Sequence, residues 1–414
     1  MRFQAPRGTE DVLPGQSERW QWLEATFKRV CALYDYREIR TPTFEDTQLF
    51  HRLGDGSDVV SKEMYTFRDK GDRSITLKPE GTAPAVRAYV ENSLGAPGQI
   101  TRLYYVTPIF RYDRPQKGRY RESHQTGVEL IGSASASADA EVITLTARFY
   151  EELGLTGLTV KLNSLGDKGC REAYTRALLD FARPVLADLP AEFRERCENN
   201  PLRLLDSKDE AMQAALTGAP TIDMFLEPEA MSHFDELLAL LDAVGVRYEV
   251  SLRLVRGLDY YTRTVFEVLS DALGAQSSLC GGGRYDNLIA ECGGPATPAV
   301  GVAMGIERAL MVLAGHAVSP IGPKAFAVCL TENKAAFTKI VEDLRTQGVT
   351  VQADPDARSA KSQFRQADRV GAEFAIVIGD EELASGHATL KRLADADESK
   401  VEIATLASHL LDKQ

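Results

Sequence analysis

The chain has 414 residues, more than a single hydrophobic core usually organises, so two or three domains are expected. Its composition, with 44% hydrophobic and 26% charged residues, is that of a globular protein and excludes a disordered or fibrous chain. A formal net charge of −12 excludes a protein that coats nucleic acid through bulk positive charge, and leaves room only for a local basic contact on an acidic body.

The cysteines and the apolar segments predict the compartment. The six cysteines are far apart and include no C-x-x-C pair, which indicates buried thiols in a reducing compartment and not a disulfide framework. No run of about 18 apolar residues is present, so no membrane span is predicted. Residues 1–8 lack the apolar region of a secretory signal peptide. We therefore expect a soluble, cytoplasmic protein.

The first third of the chain alternates helical and strand patterns. Ser17 can cap a helix that runs to about Tyr34, because apolar residues recur there at spacings of three and four. Residues 37–44 alternate like a strand, and Pro42 restricts this strand to a sheet edge or an interface. The next predicted elements are, in order, a strand from Met64, a turn at 70–72, a second strand, a loop at 78–82, a helix through Tyr89, strands at 100–112 and 129–131, and a helix at 138–153.

Residues from about 165 to 245 differ in character from the rest. Apolar residues take helical spacing and β-branched runs disappear, which predicts a helical insertion. Strand patterns return at 248–254, 264–269 and 276–281, followed by a helix at 304–313 and a linker at 315–323. The remaining segment reads as strand 324–330, helix 333–347, strand 350–353, helix 359–370 and strand 374–378. This order predicts a small, mostly parallel α/β domain.

The densest charge in the chain lies at residues 111–121. This segment holds five basic residues against one acid, Asp113, and follows an apolar strand, so we expect a hairpin loop that projects from a sheet. A solvated loop is the ordinary interpretation of a basic run. Arg111, however, lies at the end of the strand, where a solvated charge has little reason to be. A planar guanidinium there suits a nucleoside triphosphate, and the basic loop beside it suits the end of a nucleic acid.

Two further arginines stand beside strands. Arg256 lies between apolar residues with Asp259 nearby, so a buried structural ion pair and a functional arginine are both open interpretations. Arg308 opens a helix after a strand-like run, where it could point into a pocket borne by a sheet. The three glycines at 281–283 would let a ligand or another backbone approach closely.

Several common active-site patterns are missing from the sequence. It holds no P-loop, no strand-helix G-x-G-x-x-G, no zinc-ligand spacing of cysteines or histidines and no G-x-S-x-G elbow. Three strand-adjacent arginines without an evident nucleophile favour chemistry by positioning and charge stabilisation. Phosphoryl and nucleotidyl transfer work in that way.

Several segments resemble motifs of the class II aminoacyl-tRNA synthetases, and specifically of the histidyl-tRNA synthetase family, in the family's order. The segments are RGTED at 7–11, KPEGT at 78–82, 111–125, RGLDYY at 256–261, GGGRYD at 281–286, a third class motif at 301–308, and a first class motif formed by the helix ending near Tyr34 with residues 40–44. The resemblance covers essentially the whole chain.

The resemblance implies an α+β fold of two parts. Residues 1–320 would form the class II catalytic domain, an antiparallel sheet flanked by helices, which includes the helical insertion at about 165–245. Residues 322–414 would form a C-terminal α/β anticodon-binding domain. The enzyme would act as a homodimer built partly on the first motif, which agrees with an edge strand at Pro42.

The family's roles carry over to residues of this chain as implications. Histidine would be bound by Glu80, Gly81, Thr82, Arg111, Gln125, Glu129, Arg256, Tyr260 and Tyr261. ATP would be bound by Arg111, Asp113, Arg119, Glu122 and Arg308. The acceptor end of tRNA(His) would meet Arg114, Gln116, Lys117 and Arg119. Arg111 and Arg256 would be the catalytic residues, and Mg²⁺ is expected with ATP although no ligand set is evident.

The sequence departs from the family's pattern at three positions. Ser123 stands where the family usually has a phenylalanine that stacks on adenine, Asp113 replaces a more usual glutamate, and Lys78 replaces a common arginine. The loss of a stacking ring would weaken ATP binding by about 1–3 kcal/mol. The adenine site is therefore where this chain is expected to differ from its family.

One alternative function is not catalytic. A relative of these synthetases is the regulatory subunit of ATP phosphoribosyltransferase in histidine biosynthesis; it lacks the anticodon-binding domain and usually departs at the arginine-tyrosine motif. Here the motif at 256–261 is intact and a further β-α-β-α-β segment follows, which favours the synthetase. A class II synthetase for another amino acid disagrees with the histidine-specific motifs.

A basic stripe is predicted in the C-terminal domain. Arg358, Lys361, Arg365 and Arg369 follow one another at spacings of three, four and four, which places them on one face of the predicted helix at 359–370. A solvated helix face has the same pattern. With the resemblance, Arg358, Lys361 and Arg365 become candidates for contact with the tRNA backbone.

Overall fold

A computed structural model describes residues 3–51, 60, 62–96, 98–116, 118–186, 194, 197–198, 201–205, 214, 216–276, 278–313 and 322–412. The chain divides into two compact units, Met1–Val318 and Ser319–Gln414. Most of the linker predicted at 315–323 lies outside the described residues. In the described part of the chain, no helix combines the length and the apolar character that crossing a membrane requires.

The first unit combines helices with many strands. Its strands are β1 (Arg37–Glu38), β2 (Phe44–Asp46), β3 (Tyr65–Arg68), β4 (Ser74–Leu77), β5 (Thr101–Phe110), β6 (Glu122–Ile131), β7 (Leu158–Ser164), β8 (Tyr248–Val250), β9 (Thr262–Ser270), β10 (Ser278–Arg284) and β11 (Ala299–Gly305). Its helices are α1 (Ser17–Leu33), α2 (Thr47–His51), α3 (Thr82–Glu91), α4 (Ala136–Glu152), α5 (Lys168–Leu186), α6 (Pro228–Val244), α7 (Leu288–Glu291) and α8 (Ile306–Val312), with 3-10 turns at Pro201–Leu204, Ile222–Phe225 and Asp271–Gln276.

Eight of these strands form the main sheet. The order is β1-β5-β6-β11-β10-β9-β7-β8, and all neighbours pair antiparallel except β1 with β5 and β7 with β8. The antiparallel, helix-flanked sheet of an α+β fold is therefore confirmed. Because successive side chains of a strand point to opposite faces, Val128 and Leu130 join one hydrophobic cluster and Ile131 joins another.

The prediction of one strand at 37–44 is wrong. The segment splits into β1, a two-residue edge strand of the main sheet, and β2, which belongs to a separate sheet in the order β2-β4-β3. Pro42 lies between them, outside either strand, because proline has no amide hydrogen to give to a ladder. Ser17 also departs from expectation: it is the first helical residue of α1 and makes no side-chain cap.

The insertion predicted at about 165–245 is helical where the structure describes it. It contains α5 and α6, and apolar residues of α5 pack with two 3-10 turns around a small core that includes Tyr174, Leu178 and Leu204. Helix α6 ends at Val244 and is capped by Gly245, whose φ of +77° is the left-handed conformation that glycine adopts without strain. Strand β7, just before α5, and β8, just after α6, are neighbours in the main sheet.

The second unit has its own five-stranded sheet. Its strands are β12 (Ala325–Cys329), β13 (Val351–Ala353), β14 (Phe374–Ile378), β15 (His387–Arg392) and β16 (Glu398–Glu402); its helices are α9 (Lys334–Thr346), α10 (Ala360–Arg369), α11 (Asp380–Ser385) and α12 (Leu406–Leu411). Strand β12 pairs parallel with β13 and β14, as the β-α-β-α-β pattern predicts. The structure adds β15 and β16, which extend the sheet antiparallel.

Candidate functional site

A cavity of about 590 Å³ opens in the first unit. Its walls come from the β5–β6 hairpin, the starts of α3 and α8, strand β10, and the segment 255–261 that precedes β9. Two residues of the insertion, Cys197 and Leu202, also line it. The cavity is thus built where elements from distant parts of the sequence meet on one sheet.

Most of the predicted site residues line this cavity. They are Glu80, Thr82, Arg111, Asp113, Arg119, Gln125, Arg256, Tyr260, Tyr261 and Arg308. Of the residues predicted to bind histidine or ATP, three do not line it: Gly81 and Glu129 lie behind the wall, and Glu122 is the first residue of β6. The sequence motifs that carry these residues therefore converge, although they are spread over more than two hundred positions.

Tyrosines and a carboxylate form one end of the cavity. Tyr260 and Tyr261 are each only 7% exposed, and their ring centroids are 4.6 Å apart. The carboxylate of Glu80 accepts hydrogen bonds from the main-chain amides of Thr82 and Ala83, both at 2.7 Å, at the start of α3. Burial raises the pKa of Glu80 in spite of these bonds.

Glu129 lies behind this end and is fully buried. It accepts hydrogen bonds from the hydroxyl of Tyr105, at 3.1 Å, and from the hydroxyl of Tyr285. Burial raises the pKa of Glu129 to about 8. Gly81 leaves space for the Tyr105 ring, because a Cβ at position 81 would lie 2.3 Å from it. Sequence reasoning missed both tyrosines, although Tyr285 belongs to the quoted GGGRYD motif.

Two polar atoms at the cavity are buried without a hydrogen-bond partner among the described residues. They are the amide oxygen of Gln125 and the Nε of Arg256. An unpaired buried polar atom costs about 1–3 kcal/mol, so native structures usually provide a partner. A bound ligand with a donor for Gln125 and an acceptor for Arg256 would supply it.

Arg256 does not form the ion pair with Asp259 that its sequence neighbourhood suggests. Its guanidinium bonds instead to Glu267 on β9, and Asp259 is bound by Arg171 of α5. Residue spacing cannot show this, because the register of β9 beside β10 brings Glu267 opposite Gly281. A Cβ at Gly281 would lie 1.8 Å from Nη2 of Arg256, so the glycine provides the space for the guanidinium.

The other end of the cavity is rich in arginine. Arg111 donates from Nε to the carbonyl of Pro79 at 2.8 Å, and Arg308 donates from Nη1 to the carbonyl of Ser278 at 2.7 Å. Arg119 pairs with Asp113 at 3.1 Å. Burial lowers the pKa of Arg111; burial, and then the charges of Arg119 and Arg111, lower the pKa of Arg308. Repelling cations held together in this way suit a polyanion.

His124 and Glu307 also line the cavity and were not predicted. Glu307 Oε1 contacts both the main-chain amide of His124, at 2.8 Å, and its ring Nδ1, at 3.0 Å. Burial lowers the pKa of His124, but the bond and charge of Glu307 outweigh it, so the net pKa is raised. Trp20 of α1 packs edge-on against the His124 ring. The sequence signal was available, because His124 lies in the motif at 111–125 and Glu307 in that at 301–308.

The predicted tRNA-contacting residues lie in two places. Arg114 and Gln116 are exposed on the hairpin loop between β5 and β6, and Arg119 is on the cavity side of that loop. Lys117 lies outside the described residues. In the second unit, Lys361 and Arg365 are exposed on α10.

Arg358 is not on the α10 face with the other basic residues. The helix begins at Ala360, and the Arg358 guanidinium is bound to Asp354 at 2.8 and 3.2 Å. The predicted stripe is thus wrong at this position, because the spacing argument extends helical geometry to a residue outside the helix.

Ser123, one of the positions at which the sequence departs from the family's pattern, lines the cavity. Its hydroxyl lies 3.4 Å from the carbonyl of Tyr120.

No group of three or more histidine, cysteine or acidic residues suited to a metal ion occurs in the described part of the chain. None of the six cysteines, all of which the structure describes, is part of a disulfide, and five of them are buried.

Comparison with known proteins gives consistent results for both units. A family model described as histidyl-tRNA synthetase matches residues 8–309, and one described as an anticodon binding domain matches residues 317–413. The chain is 48% identical over 408 residues to the histidine–tRNA ligase of Caldanaerobacter subterraneus subsp. tengcongensis, covering 97% of this chain and 98% of that protein.

Two solved structures extend the comparison. The apo histidyl-tRNA synthetase of S. aureus matches with a TM-score of 0.84 and 37% identity, over 99% of this chain and 100% of that chain. A protein of Bacillus halodurans described as an ATP phosphoribosyltransferase regulatory subunit/histidyl-tRNA synthetase matches with a TM-score of 0.67 and 24% identity, over 92% of this chain and 99% of that chain. The second likeness concerns the fold alone.

Proposed function

The chain belongs to the histidyl-tRNA synthetase family, and we propose that its cavity joins histidine to ATP and then to the 3′ end of tRNA(His). It is a histidine–tRNA ligase, a class II aminoacyl-tRNA synthetase with histidine, ATP and tRNA as substrates. The observation that carries the assignment of the cavity is its division into a tyrosine-lined end and an arginine-lined end.

The tyrosine-lined end is proposed to hold histidine. Glu80 and Thr82 would receive the α-amino group together with the unpartnered amide oxygen of Gln125. Tyr261 and the buried Glu129 would face the imidazole, with Tyr260 beside them. Gly81 supports this end indirectly, by leaving space for Tyr105. A pocket with polar partners for both ring nitrogens rejects side chains that lack them, because its own groups would stay unpaired.

The arginine-lined end is proposed to hold ATP. Arg111 and Arg256 would flank the histidine carboxylate and the α-phosphate, and Arg308 would hold the γ-phosphate. Asp113 and Arg119 would contact the nucleotide from the hairpin loop. Glu122, which the family pattern also assigns to ATP, does not line the cavity and is the weaker candidate for a nucleotide contact.

The proposed reaction needs no side-chain nucleophile. The histidine carboxylate attacks the α-phosphorus in line; a carboxylate O–P bond forms as the bond to pyrophosphate breaks, and histidyl-adenylate results. The terminal ribose hydroxyl of tRNA then takes the histidyl group, and AMP leaves. The two arginines stabilise the negative charge that develops on phosphate in the transition state. Mg²⁺ is proposed to accompany ATP, and its ligands are not assigned.

Two contact regions are proposed for tRNA. In the catalytic domain, residues 1–320, the exposed hairpin residues Arg114 and Gln116 and the half-buried Arg119, together with Lys117, would meet the acceptor end. In the anticodon-binding domain, residues 322–414, Lys361 and Arg365 of α10 would meet the backbone. Arg358 remains a weaker candidate, because its guanidinium is already bound to Asp354.

A homodimer is proposed on the basis of an exposed apolar face. The register of the β2-β4-β3 sheet places Phe44 in line with Leu77 and Tyr65, and Phe67 in line with Ile75, all on one face. Phe44 and Phe67 are 52% and 46% exposed. Apart from Asp46 beside Ile75, this exposed face is apolar, and such a face usually contacts another protein surface. The reduced cysteines agree with the reducing, cytoplasmic location that we propose.

The proposal is tested by histidine-dependent exchange of pyrophosphate into ATP, followed by charging of tRNA(His). Arg256→Ala should lower the exchange rate by roughly a hundredfold or more, because charge stabilisation of the transition state is lost, while histidine binding measured by calorimetry largely survives. Arg176→Ala, at an exposed position on α5, is the control and should exchange normally.

An unchanged exchange rate in Arg256→Ala would contradict the catalytic assignment. Absence of exchange with any amino acid in the wild-type protein would instead favour the regulatory subunit of ATP phosphoribosyltransferase, which the full-length ligase relatives make the weaker alternative.

A further inference from the structure

The segment that carries the two cavity tyrosines lacks regular secondary structure. Residues 251–261 form turns and bends between β8 and β9, so no strand ladder fixes their main chain. Tyr260 and Tyr261 are nevertheless buried and closely packed on each other. Something outside the segment must therefore determine the conformation in which the tyrosines face the cavity.

Arg171, in the first turns of α5, belongs to the helical insertion and contacts the segment that carries the tyrosines. Its Nη1 donates to the carbonyl of Asp259 at 2.7 Å and to the carbonyl of Tyr261 at 3.3 Å, and its Nη2 lies 3.5 Å from the Asp259 carboxylate. One guanidinium thus bridges the main chain on both sides of Tyr260. The planar fork of arginine lets Nη1 serve both carbonyls while Nη2 faces the Asp259 carboxylate.

A second contact joins the same two parts of the chain, but here the arginine follows the tyrosines and the carboxylate precedes α5. Arg263, just after the tyrosines, donates to both oxygens of Asp167 at 2.9 and 3.1 Å. Its main chain exchanges bonds with Leu165 and Gly166, at 2.6 and 2.9 Å, and its φ is +44°. A non-glycine residue in this region of φ is held there by its surroundings. The contacts therefore fix where the chain enters β9.

We propose that Arg171 is a positioning residue for histidine recognition, through which the helical insertion holds Tyr260 and Tyr261 in the conformation that binds the substrate side chain. The inference rests on the proposed function of the cavity. Arg171 does not itself line the cavity, so it acts through the main chain of the tyrosine segment. At the arginine-lined end, Arg111 is supported by Pro79 and Arg308 by Gly118 and Ser278. Arg256, although it lies in the tyrosine segment, is held by Glu267 of β9 and not by Arg171.

The separation of the two ends gives a test by steady-state exchange kinetics. In Arg171→Met, which keeps the length of the side chain but not its donors, KM for histidine should rise roughly tenfold, since the charged hydrogen bonds that order the segment are lost. KM for ATP should change less than about twofold. In Arg171→Lys, which keeps one charged nitrogen, KM for histidine should lie between the values of Arg171→Met and the wild type. Arg176→Ala, on the same helix, should match the wild type in both constants.

Each outcome separates a positioning role from a structural one. If Arg171→Met leaves KM for histidine unchanged, or raises KM for histidine and for ATP by the same factor, the inference is overturned. If Arg171→Met does not fold, Arg171→Lys and Asp167→Asn replace it; the latter breaks the contact between Arg263 and Asp167. In each of them KM for histidine should rise more than KM for ATP. Absence of histidine-dependent exchange in the wild type would overturn the proposed function and, with it, this inference.

Discussion

Ser123 is the cavity residue at which this chain is expected to differ from its family in binding ATP. It lies in the cavity wall next to the main chain of Tyr120, at the position where the family usually has an aromatic ring for adenine. A serine offers no π-surface to a base, whereas Arg111 and Arg308, the two charged groups proposed for the phosphates, both line the cavity. ATP binding in this chain should therefore depend more on its phosphates than on its base.

The first prediction concerns the Ser123→Phe variant. KM for ATP in pyrophosphate exchange should fall about tenfold, because base–aromatic stacking contributes about 1–3 kcal/mol. KM for histidine should stay the same. Ser123→Ala is the matched control, since it removes the hydroxyl without adding a ring, and should keep the wild-type value for ATP. Equal ATP affinity in Ser123→Phe and the wild type would disprove the missing-ring interpretation.

The second prediction concerns Glu129 and pH. Its folded-state pKa of about 8 lies above the ordinary value of 4.5, so the folded protein binds a proton there more tightly than the unfolded chain. This contribution to stability is fully present below pH 4.5 and is lost as pH rises towards about 8. Above that pH it is gone.

The measurement is the free energy of unfolding of the free protein from pH 5 to pH 9, compared with Glu129→Gln. The wild type should lose on the order of a few kcal/mol relative to the variant across this range, because glutamine does not titrate. Glu249→Gln, at an exposed carboxylate of β8, serves as the control and should follow the wild type. Parallel pH profiles for wild type and Glu129→Gln would rule out the buried titration.

At the scale of elements, helix α10 differs from a uniformly basic helix. Gln363 and Ala367 are buried, whereas Lys361 and Arg365, one turn apart, face outwards. Gln363 bonds to the amide and carbonyl of Cys329, which fixes α10 against β12. A rigidly held helix with basic residues on its outer face is suited to contact a phosphate backbone.

The third prediction follows from this face. Lys361→Ala and Arg365→Ala should each weaken tRNA binding and reduce the slope of log affinity against log salt by about one, because one phosphate contact is lost. Adenylate formation should be unaffected. Lys339→Ala on α9, whose side chain pairs with Asp343, is the control for loss of a surface charge. A slower exchange reaction in either α10 variant would contradict the proposed division between the two domains.

At the scale of the whole molecule, the exposed face of the β2-β4-β3 sheet marks where a second copy is proposed to bind. Its opposite face carries the buried residues Glu45 and Thr76, so the sheet already has its packed side within the unit. The outward face, with Phe44 and Phe67, is left to solvent in the single chain. Burying large aromatic side chains contributes about 1.5–3 kcal/mol each.

The fourth prediction is that Phe44→Lys dissociates the dimer. Sedimentation should show about twice the chain mass of 45.5 kDa for the wild type and a shift towards the single-chain mass for the variant, because a buried lysine would be unpaired. Met231→Lys, at an exposed apolar position on α6, should leave the mass unchanged. A wild-type protein that sediments as a single chain would refute the proposal.

The sequence by itself determined the family, the chemical character of the cavity and most of the elements, but not β15 and β16. Apolar periodicity set the main helices and strands, since burial of one face depends on local spacing, and the motifs placed Arg111, Tyr261 and Arg308 in one site. The prediction of one strand at 37–44 is wrong because local alternation does not reveal which sheet a segment joins.

Only the tertiary structure decided which side chains are partners. Arg256 bonds to Glu267 and not to Asp259, since the sheet register, and not the distance along the chain, brings the two groups together. Glu129 and Tyr285 are 156 residues apart in sequence and in hydrogen-bond contact in the fold. Arg171 reaches the tyrosine segment across a similar long-range contact. Such pairings depend on the packing of whole elements, which no local pattern of residues encodes.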